Sequence, residues 1–394
     1  MVVETAIGSR VEVLRAQLPA VLTTGYFNTG SNGPIPTVAY EAADAVARRE
    51  LERGRIVPGT YEGNRDRNRA LAAFAADVFN AAPDEVALTH STTEGLGTAL
   101  MGIAWDRGDE VVTTSEEHPG LLKPLALLGR RFGVITRYAP IGDGSGDVVG
   151  AIAREITAAT RVIALSHVLW STGAVLPLRE IADLARDNEL MVIVDGAQSG
   201  GQVPVDLHAL GIDAYAMAGQ KWLCGPEATG LLYVRRDRFA DILPTYVRYG
   251  QSDPSGFYLP PAGADRYEIG EFYSPAIAAQ EAALRWLRDE VGLDWAFART
   301  ASLGAEFRER LTRIPGVNVV TPAAPMAGLV NFTIDGIGCK DVAARLHERG
   351  YTIRAVESPP CTVSVRASVA WWNTEEEVAG LAEAVAALAA GASG

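Results

Sequence analysis

The sequence predicts an α/β protein: a large domain on a mainly parallel sheet flanked by helices, joined to a smaller α+β domain. Three observations carry this expectation. Short, wholly apolar runs such as MVIV (191–194) alternate with amphipathic segments such as LREIADLARDNEL (178–190), the pattern of strands buried on both faces and joined by crossover helices. The alternation stops at QSDPSGFYLPPAGAD (251–265), whose Pro, Gly and Ser content reads as a loop. Beyond it the order changes to one long helical stretch, three apolar runs and an Ala-rich end.

Taken in order, residues 9–20 are amphipathic and suited to packing on the smaller domain. ALAAFAADVFN (70–80) has helical spacing and precedes the strand-like EVALTH (85–90). A helix is expected after Thr92 and Thr93, then the strand DEVVTTS (109–115) and the run RFGVITRYAP (131–140). A helical segment near 148–157 leads to RVIALSHV (161–168), and the helix 178–190 leads to MVIVD (191–195). After the loop, one helical segment is expected over roughly 275–311. The runs VNVVT (317–321), GLVNFTI (328–334) and TVSVRAS (362–368) follow, with helices at 339–349 and 374–390. The large domain is accordingly placed at 22–262, and the smaller one at 1–21 together with 263–394. On open α/β sheets chemistry gathers at the carboxyl ends of strands, where Thr92, Thr93, His167 and Asp195 fall.

Composition narrows the function. Of the 394 residues, 48% are hydrophobic and 21% charged, near the globular average, so a disordered, collagen-like or coiled-coil chain is excluded. A net charge of −13 argues against non-specific binding to nucleic acid or anionic membranes, while leaving room for a local cationic pocket. Three cysteines without a C-x-x-C pair exclude a disulfide framework and a Cys-rich metal site, so no metal is expected. No signal-peptide core and no long apolar run is seen, from which a cytoplasmic location is expected.

The informative stretch is VIVDGAQSGGQVPVDLHALGIDAYAMAGQKWLCGPEATG (192–230). Asp195 ends a buried strand, Gln198 follows, and Lys221 stands between the small-residue stretch AMAG and the Gly-rich CGPEATG. Singly these are weak: a strand-end Asp is more often a helix cap, and a lone Lys is usually solvated. Together they suit pyridoxal 5'-phosphate, which needs a lysine for its Schiff base, a carboxylate against its pyridinium nitrogen and a helix N-terminus for its phosphate. Lys221 would carry the cofactor and then act as base at the substrate Cα. Asp195 would keep the ring nitrogen protonated, and Gln198 would bond the phenolic oxygen. Thr92 or Thr93 would offer a hydroxyl and backbone donors to the phosphate, although a plain N-cap reads equally well.

DGAQS (195–199), QKWLCGPEATG (220–230), EEHPG (116–120) and VRASVAWWNTEEEV (365–378) occur in the order seen in class V aminotransferase-like enzymes of fold-type I, which the chain resembles over nearly its whole length. That group includes cysteine desulfurases, isopenicillin N epimerase-like proteins and cystine C–S lyases. The resemblance implies that His118 stacks on the cofactor ring and that Arg366 clamps the substrate carboxylate, a task suited to a bidentate guanidinium. Arg354 is implied as a supporting cation. In the early loop YFNTGSNGPIP (26–36), Asn28, Gly30 and Ser31 would contact substrate, with a plain turn as the other reading. It further implies a homodimer with sites at the interface, to which Tyr249 would reach from the other subunit.

Within the group, Trp170 of SHVLWSTGAVLPL stands where desulfurases carry an Asn, and the segment looks like that of the cystine lyases. A desulfurase needs a mobile thiolate, yet only 11 residues separate Arg354 from Arg366, and Cys361 lies close to the latter. Cys361 and Cys224 are therefore read as structural, and Cys339, at an expected helix start, is assigned no role. Gln220 and Ala218 stand where relatives carry a phosphate-holding His and Ser, and Glu271 where they carry a Thr. The expected activity is a C–S β-lyase taking cystine or another S-substituted cysteine, a small amino-acid substrate, to pyruvate, ammonia and a persulfide or thiol. A cysteine desulfurase, a sulfoxide lyase, or a class V aminotransferase or epimerase are the alternatives.

Overall fold

Strands in which every residue is apolar must be covered on both faces, and the chain meets that need with helices on either side of a seven-stranded sheet. The computed structural model describes residues 10–248 and 253–392. The sheet is built from β2 (Val86–Thr89), β3 (Glu110–Thr114), β4 (Ile135–Ala139), β5 (Thr160–Ser166), β6 (Met191–Asp195), β7 (Ala214–Ala218) and β8 (Gly230–Val234), after a short β1 (Gly25–Tyr26) outside it. Its spatial order is β2-β8-β7-β6-β5-β3-β4.

The period of two along each strand sorts side chains to the two faces. Val112, Ile163, Leu165, Val192 and Val194 pack against helices α3 (Thr60–Val78), α6 (Val148–Glu155) and α7 (Leu178–Asp187). Val111, Val162, Ala164 and Ile193 pack against α4 (Thr92–Met101) and α5 (Pro119–Phe132) on the other face. In α7 the buried residues are Leu178, Ile181, Ala182 and Ala185, the i, i+3, i+4, i+7 stripe of an amphipathic helix.

The apolar runs suggested parallel strands, and β3 to β7 are parallel to one another. β8 runs antiparallel to both β7 and β2. The reason is the connection: residues 219–229 form a turn without a crossover helix, so the chain can only reverse. That turn carries Lys221.

The second sheet is four-stranded and antiparallel, in the order β12 (Arg354–Val356), β13 (Ser364–Ser368), β10 (Leu329–Ile334), β9 (Val317–Val319). α10 (Leu293–Thr312), α11 (Cys339–His347) and α12 (Glu375–Ala392) cover it with Leu303, Phe307, Val342, Leu346, Val378 and Val385. β1 pairs in parallel with β11 (Tyr351–Thr352), tying the early chain to this region. The single helix expected over 275–311 is two: α9 (Ser274–Trp286) passes into a π-helical turn at Leu287–Val291, and Gly292, at φ 78°, breaks the path before α10. α9 lies along α2 (Thr37–Arg53), where Ala39, Ala279 and Ala283 are buried together. Near the start of the described chain, residues 10–15 are helical (α1), and Arg15 pairs with Glu377 of α12 at 2.6 Å; the short α8 (Leu207–Leu210) lies between β6 and β7.

Candidate active site

A cavity of about 390 Å3 lies where the carboxyl ends of the large-sheet strands face β12 and β13. Most of the residues singled out from sequence meet here: Ser31, Thr92, Thr93, His118, Trp170, Asp195, Gln198, Gln220, Lys221, Arg354 and Arg366 all line it. They come from eight separate stretches of chain.

Asp195 is the last residue of β6 and is buried. Its Oδ1 accepts the Ala197 N–H at 2.9 Å. Burial raises its carboxyl above the usual range, while the nearby Lys221 and the Ala197 N–H pull it back. Burial brings the Lys221 amine down to about 8; Asp195 opposes that shift, and Arg366 and Arg354 add to it. The lysine sits on a tightly packed turn. Cys224 and Ala228 just beyond it have φ of 55° and 58°, the left-handed region. Gly33 donates its N–H to Gln220 O at 2.7 Å, and a Cβ there would meet Lys221 O at 2.1 Å. Only glycine lets the early loop lie on this turn.

His118 caps α5, its Nδ1 accepting the Gly120 N–H at 2.9 Å, and its ring meets Trp170 edge-on at 4.7 Å. Burial, then the surrounding Lys221, Arg354 and Arg366, push its imidazole down to about 3, so it is neutral at physiological pH.

Arg366 on β13 and Arg354 on β12 are cross-strand partners. Arg366 is fully buried, and its Nε and Nη1 have no hydrogen-bond partner. Ser31 Oγ accepts from Arg354 Nη1 at 2.9 Å and from Arg366 Nη2 at 3.5 Å, and itself donates to Asn28 Oδ1 at 2.8 Å. Among the described residues neither arginine forms an ion pair. Burial and the neighbouring Arg354 lower the Arg366 guanidinium to about 9, still cationic at neutral pH. Two guanidiniums facing a cavity, neither paired with a carboxylate among the described residues, call for an anionic ligand.

At the other end, α4 begins with Ser91 as N-cap, its Oγ accepting the Glu94 N–H at 3.1 Å. Thr92 Oγ1 is buried without a partner, as is Gln220 Oε1. Turned about, the Gln220 amide presents two donors. A helix N-terminus with an unpaired hydroxyl beside an amide is a set of donors suited to an anion. Anion donors at one end, guanidiniums at the other, and a lysine, a carboxylate and an imidazole between them: this donor set fits pyridoxal 5'-phosphate bearing an amino acid. Among the described residues no cluster of His, Cys, Asp and Glu could hold a metal ion, and no helix is long and apolar enough to cross a membrane.

Some residues take other places. Gln198 reaches the cavity, but its Nε2 donates to Gly30 O at 2.8 Å and its Oε1 accepts from Trp222 Nε1 at 2.9 Å. Asn28 does not line the cavity; its Oδ1 accepts from Ser31 Oγ, which does. His167 lies behind the site, its Nδ1 2.8 Å from Tyr215 OH. Glu271 is exposed and lines an open cleft of about 700 Å3 with Arg55, Tyr61 and Phe272. Tyr249 lies outside the described residues. Sequence reasoning missed Asn32 and Ser91, which line the cavity, and the buried pair Glu116 and Glu117. The EEHPG motif contained both glutamates, but linear spacing could not show what they would meet.

All three cysteines are buried. Cys361 packs against Trp170 and Val356, its thiol donates to Glu117 O at 2.9 Å, and burial pushes it up to about 11. Cys224 is raised further by burial.

The chain is 31% identical over 396 residues to probable cysteine desulfurase 2 of Mycobacterium leprae, covering 93% of this chain and 86% of that protein. It is 32% identical over 325 residues to a cysteine desulfurase of Haloferax volcanii, covering 77% and 74%. Among solved structures, the cystine C–S lyase C-DES in complex with its product cysteine persulfide superposes with a TM-score of 0.89 at 31% identity, covering 94% of this chain and 99% of that one. A lysine-to-alanine mutant of C-DES, with glycine covalently linked to its PLP cofactor, gives 0.90 at the same identity, covering 94% and 98%. The aminotransferase class-V family pattern matches residues 69–381, and by that match and these likenesses the chain belongs to the class-V aminotransferase family.

Proposed function

We propose that this chain is a pyridoxal-phosphate-dependent carbon–sulfur β-lyase that cleaves cystine or another S-substituted cysteine to pyruvate, ammonia and a persulfide or thiol. The observation that carries the reading is the state of the thiols. Among the described residues none lines the cavity, and Cys361, packed against Trp170, is buried, hydrogen-bonded and protonated. A desulfurase needs a thiolate to attack the substrate sulfur; elimination needs only a base and a leaving group.

The cofactor is pyridoxal 5'-phosphate. When bound, it supplies an electron sink conjugated to the substrate Cα. Lys221 would hold it, Asp195 would pair with its ring nitrogen, His118 would stack on the ring, and Thr92, Thr93 and Gln220 would take the phosphate. Arg366 and Arg354 bind the substrate carboxylate and so fix Cα. With its amine near 8, a substantial fraction of Lys221 is neutral at physiological pH and able to take the Cα proton. The Cβ–S electron pair leaves with sulfur, and addition of water yields pyruvate and ammonia. A persulfide leaves more readily than sulfide because its conjugate acid is the stronger, which favours cystine over free cysteine. Trp170 lines the cavity and meets His118 edge-on, a place from which it would narrow the space for the sulfur substituent.

The test is a panel of cysteine, cystine, S-alkyl cysteines and their sulfoxides, scored for pyruvate and alanine. Cys361→Ala is expected to keep pyruvate formation within about twofold of the parent, since the thiol touches no reacting atom. Alanine as the product, lost on that substitution, would move the assignment to cysteine desulfurase. One observation favours that second reading: Cys361 packs against Trp170, and Trp170 lines the cavity.

A further inference from the structure

Glu116 precedes Glu117 and His118 in the loop after β3 and is 5% exposed. Among the described residues it has no cationic partner. Its carboxylate is satisfied by donors from two distant segments. Oε2 accepts from Ser171 Oγ at 2.7 Å and from the Thr362 backbone N–H at 2.9 Å, and Oε1 accepts from Thr362 Oγ1 at 3.0 Å. Ser171 adjoins Trp170, and Thr362 adjoins Cys361 and leads into β13 with Arg366.

The joint is reinforced from the far side. Ser364 Oγ donates to Ser171 O at 3.1 Å and accepts from Asn331 Nδ2 at 2.9 Å. Three segments, each delivering one cavity residue (His118, Trp170 or Arg366), are thus knotted at one carboxylate. A buried carboxylate held by three donors and no cation is costly to leave unpaired in the interior, so it fixes geometry strongly.

We propose that Glu116 is a positioning residue: its carboxylate holds the Cys361–Thr362 segment against Trp170 and keeps the Cys361 thiol out of the cavity. Its functional consequence, that the thiol stays a bystander to elimination, rests on the lyase reading above. The clamp itself does not. In this chain the competition between elimination and thiol attack is settled by a carboxylate that touches neither substrate nor cofactor.

The experiment is alkylation of the native holoenzyme with iodoacetamide, with the modified peptides quantified by mass spectrometry over time. Glu116→Ala is expected to accelerate labelling of Cys361 about tenfold or more, the cost of losing charge-assisted bonds. Cys224, buried within the lysine turn, is the internal control and should keep its parental rate. Thr362→Val, which removes one donor of three, should give a smaller increase at Cys361 alone, and covers the case in which Glu116→Ala does not fold. An unchanged Cys361 rate overturns the proposal, as does an equal rise at Cys361 and Cys224, which would report general loosening. If the unsubstituted enzyme instead yields alanine, the lyase reading fails while the labelling result stands by itself.

Discussion

Arg366 shows how much a single residue can owe to its surroundings. Its sequence motif marks it as a carboxylate clamp, but only the fold reveals that it is fully buried beside Arg354 with two guanidinium nitrogens unpaired. Gly30 permits this, since a Cβ there would meet Arg366 Nη2 at 2.8 Å. A lysine would keep the charge and lose the fork. Arg366→Lys is therefore expected to raise KM for the amino-acid substrate about 10- to 100-fold with a smaller fall in kcat, the cost of one or two charge-assisted bonds. Steady-state kinetics check it, and an unchanged KM would show that the carboxylate binds elsewhere. Lys221 and Asp195 were legible because their chemistry is rare in such flanks. Gln198 was legible as a site residue but not in its bonding, because its partners, Gly30 and Trp222, lie far off in sequence or across a turn.

Across elements, the strands and helices of the large sheet follow the apolar periodicity closely, whereas the reversal of β8 depends on a connection too short to cross over. His167 illustrates packing between strands. It follows β5 and reaches over β6 to Tyr215 on β7, whose hydroxyl also meets Ser199. Burial holds its imidazole down at about 4. A histidine kept neutral in the fold binds its proton more readily when unfolded, so it lowers stability as pH falls below its ordinary value near 6.5. Between pH 6.5 and 5 that loss is about 2 kcal/mol. His167→Gln retains a neutral partner for Tyr215 without the titration. The thermal-stability advantage of the parent over this variant should therefore shrink on going from pH 7.5 to 5. A constant difference would place the proton elsewhere.

For the whole molecule, we propose association of two copies through the face that bears Glu271, Phe272 and Tyr273. There Ile56, Tyr61 and Tyr273 are exposed large apolar side chains around the open cleft. Exposed apolar surface of this kind marks an interface. Sedimentation equilibrium should give twice the chain mass at micromolar concentration, and Tyr273→Glu should shift it toward one copy; a single-copy mass throughout would leave that face without a partner of its own kind. Local sequence determined the α/β architecture, the Lys221–Asp195 pair and the family, because periodicity and a dense motif are properties of neighbouring residues. Only the tertiary structure decided that all three thiols are buried, that Asn28, outside the cavity lining, meets Ser31, that Glu271 faces an outer cleft in place of the cavity, and that Glu116 ties three segments together. Burial and hydrogen bonding are set by residues that meet only when the chain has folded, and no spacing along the chain encodes those meetings.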